Sequence, residues 1–140
     1  MRALIALAVF MIFMAAPLHA CAADSMHKLH GRWIVDIEPT LGIKLENLDA
    51  AGHDAIEYYT LLVCDIDAEA ATIHLFYENE EGEKLHTVGD SYEPYTVMHD
   101  TGDKVMIGLG GELLEVKIVD DNKIIFNGKK FEHALHMKRK

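Results

Sequence analysis

Apolar and polar positions alternate along most of the chain, and the period of that alternation changes twice. In Gly31-Arg32-Trp33-Ile34-Val35-Asp36-Ile37 the side chains of Trp33, Val35 and Ile37 share one face, while Arg32 and Asp36 take the other. That pattern predicts a strand, ended by Pro39. From Leu41 to about Leu62 the apolar residues recur every three or four positions: Leu45, Leu48, Ala51 or Ala55, Ile56, Tyr59 and Leu62. This is helical spacing, and Gly52 in its middle leaves two short helices as an alternative to one. At Thr72 the period returns to two. Ile73, Leu75 and Tyr77 share a face, then Leu85 to Val88, then Tyr95, Val97 and His99, then Val105, Ile107 and Leu109. Leu114, Val116 and Ile118 follow, then Ile124 and Phe126, and finally Phe131, His133, Leu135 and Met137.

The connections between these runs are short and carry turn chemistry. Asn79-Glu80-Glu81-Gly82-Glu83, Thr101-Gly102-Asp103, Gly110-Gly111, Asp120-Asp121-Asn122 and Asn127-Gly128 separate successive strands. Strands spaced this closely read as an antiparallel meander. Seven or eight such strands with one apolar face must curl to bury it, and closure removes the exposed edges. The expected architecture over residues 30–140 is therefore mainly β: a small barrel or half-barrel, with a helical segment after the first strand.

The amino terminus is patterned differently. Arg2 precedes an uncharged apolar run from Ala3 to Leu18, with Pro17 near its end and small residues at Ala20 and Ala22. A short basic start, an apolar stretch and small residues beyond it predict a secretory signal over residues 1–20, followed by a tether over 21–29. Leu18-His19-Ala20-Cys21 resembles the lipobox of bacterial lipoproteins, which implies lipidation of Cys21. Ala22 after the cysteine then implies the outer membrane. Ordinary cleavage after Ala22 is the competing reading. The expected location is the periplasm, attached to the outer membrane through Cys21.

Gly31-Arg32-Trp33 on the first strand of a meander resembles the lipocalin and fatty-acid-binding superfamily. The helical residues directly after that strand are similar to the fatty-acid-binding branch. The resemblance implies a lipocalin-like barrel with a basic residue of the last strand, Lys138 or Arg139, over the tryptophan. Gly31-Arg32-Trp33-Ile34-Val35-Asp36 also resembles the start of small bacterial secreted proteins described as lipocalin-like. The chain departs from the families in lacking a Thr-Asp-Tyr motif and a terminal Arg-x-Tyr.

Charge narrows the partners. Lys and Arg number 13 against 23 Asp and Glu, a formal net charge of −10. That balance argues against nucleic acid and against a polybasic membrane contact. Membrane association is then expected through the lipid anchor alone.

Candidate chemistry is sparse. No Gly-x-Ser-x-Gly is present, and after the signal only Ser25 and Ser91 remain. Histidines are numerous, and His27/His30 and His133/His136 both form H-x-x-H pairs. On a strand, residues three apart face opposite sides, so neither pair is a ready chelate. His30 and His136 meeting outside the barrel near Glu132 is the geometry that zinc or copper would need. Asp65, Asp67 and Glu69 begin like a calcium loop, without its glycine or distal glutamate. Cys64, among Leu61, Leu62 and Val63, reads as a buried small hydrophobe, or as a disulfide partner for Cys21 if that residue keeps its thiol. His99 and His133 fall in phase with apolar neighbours, which predicts satisfied core histidines or polar groups in a cavity.

Together these features predict a non-enzymatic periplasmic protein that binds a small apolar ligand, without cofactor or metal. Trp33, Tyr59, Tyr95, His99, Phe126 and His133 are the candidate ligand-binding residues. The alternative is an envelope interaction or inhibitor module with a filled barrel, acting through its surface.

Overall fold

The computed structural model describes residues 24–85 and 92–140. The signal segment 1–20, Cys21, Val88 and Ser91 lie outside the described residues. Among those described, a short helix α1 (Ser25–Lys28) leads into β1 (Gly31–Val35), α2 (Ile37–Leu41), a 3-10 turn (Leu45–Asn47) and α3 (Ala50–Leu61). Strands then run to the end: β2 (Leu62–Asp67), β3 (Thr72–Glu78), β4 (Lys84–Leu85), β5 (Tyr92–Asp100), β6 (Lys104–Leu109), β7 (Glu112–Asp120), β8 (Lys123–Asn127) and β9 (Leu135–Arg139).

The sheet closes on itself. β5 to β9 form a meander, β9 pairs with β1, β1 with β2, and β2 with β3. β3 completes the ring by pairing Thr72, Ile73 and His74 with β5, while Tyr77 and Glu78 take β4 on the same edge. The result is a closed antiparallel barrel of eight strands, with β4 as a short flap. This architecture is compatible with a lipocalin-like fold.

Three details differ from the sequence pattern. β1 ends at Val35, because Ile37 begins α2 instead of continuing the strand. Pro39 sits in the first turn of α2, where its missing N–H has no helical partner to lose. Buried Thr40 pins this helix to β9: its Oγ donates to the Asp36 carbonyl at 2.7 Å and accepts from the His136 N–H at 3.0 Å. Gly42, at φ +66°, ends the helix in the left-handed region.

The second difference is β2, whose first residue, Leu62, the helical spacing had absorbed. Leu62, Val63 and Cys64 are all buried, so the strand lacks the alternation that marks a half-buried sheet. The reason lies on the barrel's exterior. Val63 is buried there, as are His74, Phe76 and Glu78 of β3.

The third concerns the two histidines expected in the core. A bulge between Val97 and His99 shifts the phase of β5, and His99 is exposed. His133 lies in the loop before β9 and is also exposed.

The interior is one apolar cluster built from every long strand. Trp33, Cys64, Val105, Ile107 and Val116 have no accessible surface, and Phe126 and Met137 retain 1%. Met26 and Leu29 plug the end at which β1 begins. Ser25 fastens that plug: its N–H and Oγ donate to the two oxygens of Asp100 at 2.8 and 2.7 Å. Since α2 and α3 lie between the end of β1 and the start of antiparallel β2, they stand at the opposite end of the barrel.

Candidate functional site

Among the described residues, the sequence-predicted ligand residues are spread over the barrel core, its ends and its surface. Trp33 lies at the plugged end, with its indole N–H donating to the Leu29 carbonyl at 2.8 Å. The Arg139 guanidinium covers its ring at 4.4 Å and donates to the carbonyls of Lys28, His30 and Asp121. Of the two basic candidates, Arg139 therefore covers the tryptophan. Lys138 points outward, 3.6 Å from Asp36. Tyr95 and Phe126 are core residues, and Tyr59 is half-buried at the α3 end. His99 and His133 are on the surface, so neither can present a polar group to a cavity inside the barrel.

Burial raises the Tyr95 phenol above its ordinary range, with the charges of Asp24 and Asp67 adding to the effect. Burial likewise raises Tyr59, helped by Glu132 and Tyr58. Cys64 carries a free thiol, fully enclosed inside the barrel. Burial and the neighbouring Asp65 charge push it upward and keep it protonated, which is the environment of an inert thiol. His30 accepts from the Ala68 N–H through Nδ1 at 3.2 Å, whereas His136 projects from β9 beside α2. Among the described residues no group of three His, Cys, Asp or Glu side chains is arranged to hold a metal ion.

Two exterior features were not legible in the pattern. The first is a layered cluster on the outer face of β1 to β3. The His74 ring stacks on Phe76 at 4.6 Å, and Tyr92 lies 4.2 Å from His74. Lys84 and Arg32 approach the Phe76 ring at 4.5 and 5.3 Å. Arg32 grips Asp65 through two parallel bonds of 2.8 and 2.9 Å and reaches Glu78 at 3.0 Å. The Asp65 hydrogen bond holds the guanidinium above its ordinary range. Lys140 takes the other oxygen of Glu78. Its hydrogen bond, with the charges of Lys140 and Arg32, holds the buried Glu78 carboxyl below the usual range despite burial. Arg32, Asp65, Glu78 and Lys140 are all paired, so the cluster clamps β1 and Lys140 to β3.

The second feature is a groove beside α3. Ile56 is the one buried residue of that twelve-residue helix. Tyr58 is 57% exposed, with its ring 5.0 Å from Tyr77 and 5.3 Å from Tyr59. Burial and a hydrogen bond with Tyr58 push the Tyr77 phenol up. Ala55, Tyr58, Leu61, Tyr77 and Leu85 line a depression of about 560 Å³, with Asp54 and Glu57 on its edge. A second depression of about 560 Å³ shares Asp54, Glu57, Leu61 and Leu85 and extends to His53, Thr60, Asn79, Glu80 and Glu81. The two form one groove between α3 and the β3–β4 turn.

No family model, curated protein or solved structure matches the chain. No helix among the described residues is long and apolar enough to cross a membrane.

Proposed function

We propose that this chain is an exported, non-enzymatic interaction module, tethered to the outer membrane at Cys21, whose filled barrel acts through its surface. On this reading it is a bacterial secreted lipoprotein of lipocalin-like type. One observation carries the filled interior. A side chain lining an empty cavity keeps surface accessible to a water-sized probe, however deep it lies. Trp33, Val105, Ile107 and Val116 keep none, and Ile124, Phe126 and Met137 keep 1%. Their own side chains occupy the space that a ligand would need.

A small apolar ligand is the second reading. What favours it is the α3 end, where Tyr59, Tyr77 and Phe131 pack only partly against the core. Such a ligand would enter beside α3 and displace those rings.

The tether gives the module a direction. Asp24 follows Cys21 closely in sequence, and Ser25 is already fixed to Asp100. An anchor at Cys21 therefore holds the α1 end near the bilayer and leaves the α3 groove facing away.

Native mass spectrometry of protein prepared without detergent tests the reading. The expected spectrum is the polypeptide with any covalent lipid and no other bound molecule. A stoichiometric, non-covalent lipid would overturn the filled barrel in favour of the second reading. Palmitate labelling tests the anchor separately: Cys21→Ser abolishes incorporation, and unchanged labelling sinks the lipobox assignment.

A further inference from the structure

The groove beside α3 has a chemistry that selects one kind of occupant. Its floor is apolar, formed by Tyr58, Leu61, Tyr77 and Leu85, and Tyr58 and Leu85 are 57% and 36% exposed. Its rim is acidic, with Asp54 and Glu57 on the helix side and Glu80 and Glu81 on the turn side. Among the described residues neither Lys nor Arg lines it. None of those four carboxylates takes part in an ion pair among the described residues.

The helix itself supports the same assignment. A helix of this length is marginal on propensity and depends on an apolar face packed against a neighbour. α3 carries Gly52 and buries only Ile56, while its Tyr58 side faces solvent. Apolar surface left open between two acidic banks suits a basic polypeptide that brings its own apolar side chain.

We propose that this groove docks a basic segment of a partner protein, with Lys or Arg residues flanking a bulky apolar side chain. The apolar residue lies on Leu61 and Leu85, beside the Tyr58–Tyr77 ring pair. The flanking cations meet Asp54 and Glu57 on one bank, Glu80 and Glu81 on the other, and the tyrosine faces. The inference rests on the surface-acting reading and names the chemistry of the partner. The lipid-occupancy measurement reads that wider proposal on its own, so failure of one is separable from failure of the other.

The test uses the soluble Cys21→Ser protein and a short amidated peptide of lysines interrupted by one tryptophan and one leucine. Binding is followed by tryptophan fluorescence and mapped by amide chemical-shift changes. The expected map centres on α3 and the β3–β4 turn. Combining Asp54→Asn, Glu57→Gln, Glu80→Gln and Glu81→Gln should weaken binding about ten-fold, as several exposed ion pairs are lost together. Tyr58→Ala should weaken it further without unfolding the barrel, because that side chain is mostly exposed. The control is a second variant that neutralises the same number of charges elsewhere, at Asp103, Glu112, Asp120 and Asp121. Equal weakening by both charge variants, shifts spread over the whole acidic surface, or a lysine–serine peptide binding equally well would each overturn the proposal. So would the absence of binding.

Discussion

Arg139 shows how much one side chain can join. Its three nitrogens donate to carbonyls in two separate segments, Lys28 and His30 ahead of β1 and Asp121 between β7 and β8, while its plane covers Trp33. Lysine keeps the charge but not the planar fork. Arg139→Lys should therefore cost about 1–2 kcal/mol, read as a lower urea midpoint with an unchanged slope. Gly31 is bound into the same contact. It holds φ at +127°, and a Cβ there would meet Arg139 Nη1 at 3.0 Å. Gly31→Ala should be destabilising by at least about 1 kcal/mol, since both backbone and space oppose it. The choice between Lys138 and Arg139 was legible in principle. Leu135 and Met137 point inward, so alternation sends Arg139 inward and Lys138 out. The exposure of His99 was not legible, because the bulge beside it carries no glycine or proline to mark it.

At the scale of elements, the small plug α1 depends on a carboxylate. Burial alone would raise Asp100, but the Ser25 N–H and Oγ and the Gly102 N–H outweigh it, with His99 assisting. The folded value therefore lies below the ordinary one of 3.8. A depressed carboxyl contributes stability that is complete above the unfolded value and is lost as pH falls through the folded one. Acid should loosen α1 below about pH 4, seen as lower protection factors for amide exchange at Met26 and Leu29. Asp100→Asn should remove much of that dependence and cost about 1–3 kcal/mol at neutral pH, because the amide cannot accept at both positions. A protection factor at Met26 that stays constant from neutral to acid pH would contradict the clamp. Elements with strict alternation between marked turns, β6 to β8, were readable from the chain. β2 was not, because burial on both faces erases the alternation by which strands are recognised.

For the whole molecule, the decisive question is whether the closed sheet is full. Alternation is identical in a hollow barrel and a packed one, so sequence predicts closure but not content. The filled reading rests on side chains: Trp33, Phe126, Met137 and the branched residues Val105, Ile107, Val116 and Ile124 share one cluster and keep at most 1% of their surface accessible. Close packing of this kind makes a testable energetic statement. Phe126→Ala removes a ring that is 1% exposed from the centre of the cluster. The loss should be about 3–5 kcal/mol, combining transfer of the ring with the cavity left behind. A dry cavity of that origin should bind a small apolar probe such as benzene, raising the melting temperature of the variant while leaving the parent unaffected. A barrel that is already hollow behaves in the opposite way. Its parent form would be stabilised by the probe, and Phe126→Ala would cost little beyond the transfer of its own surface. Measuring both proteins with and without the probe therefore separates a structural core from a binding chamber, and with it the surface-acting module from the carrier of an apolar ligand.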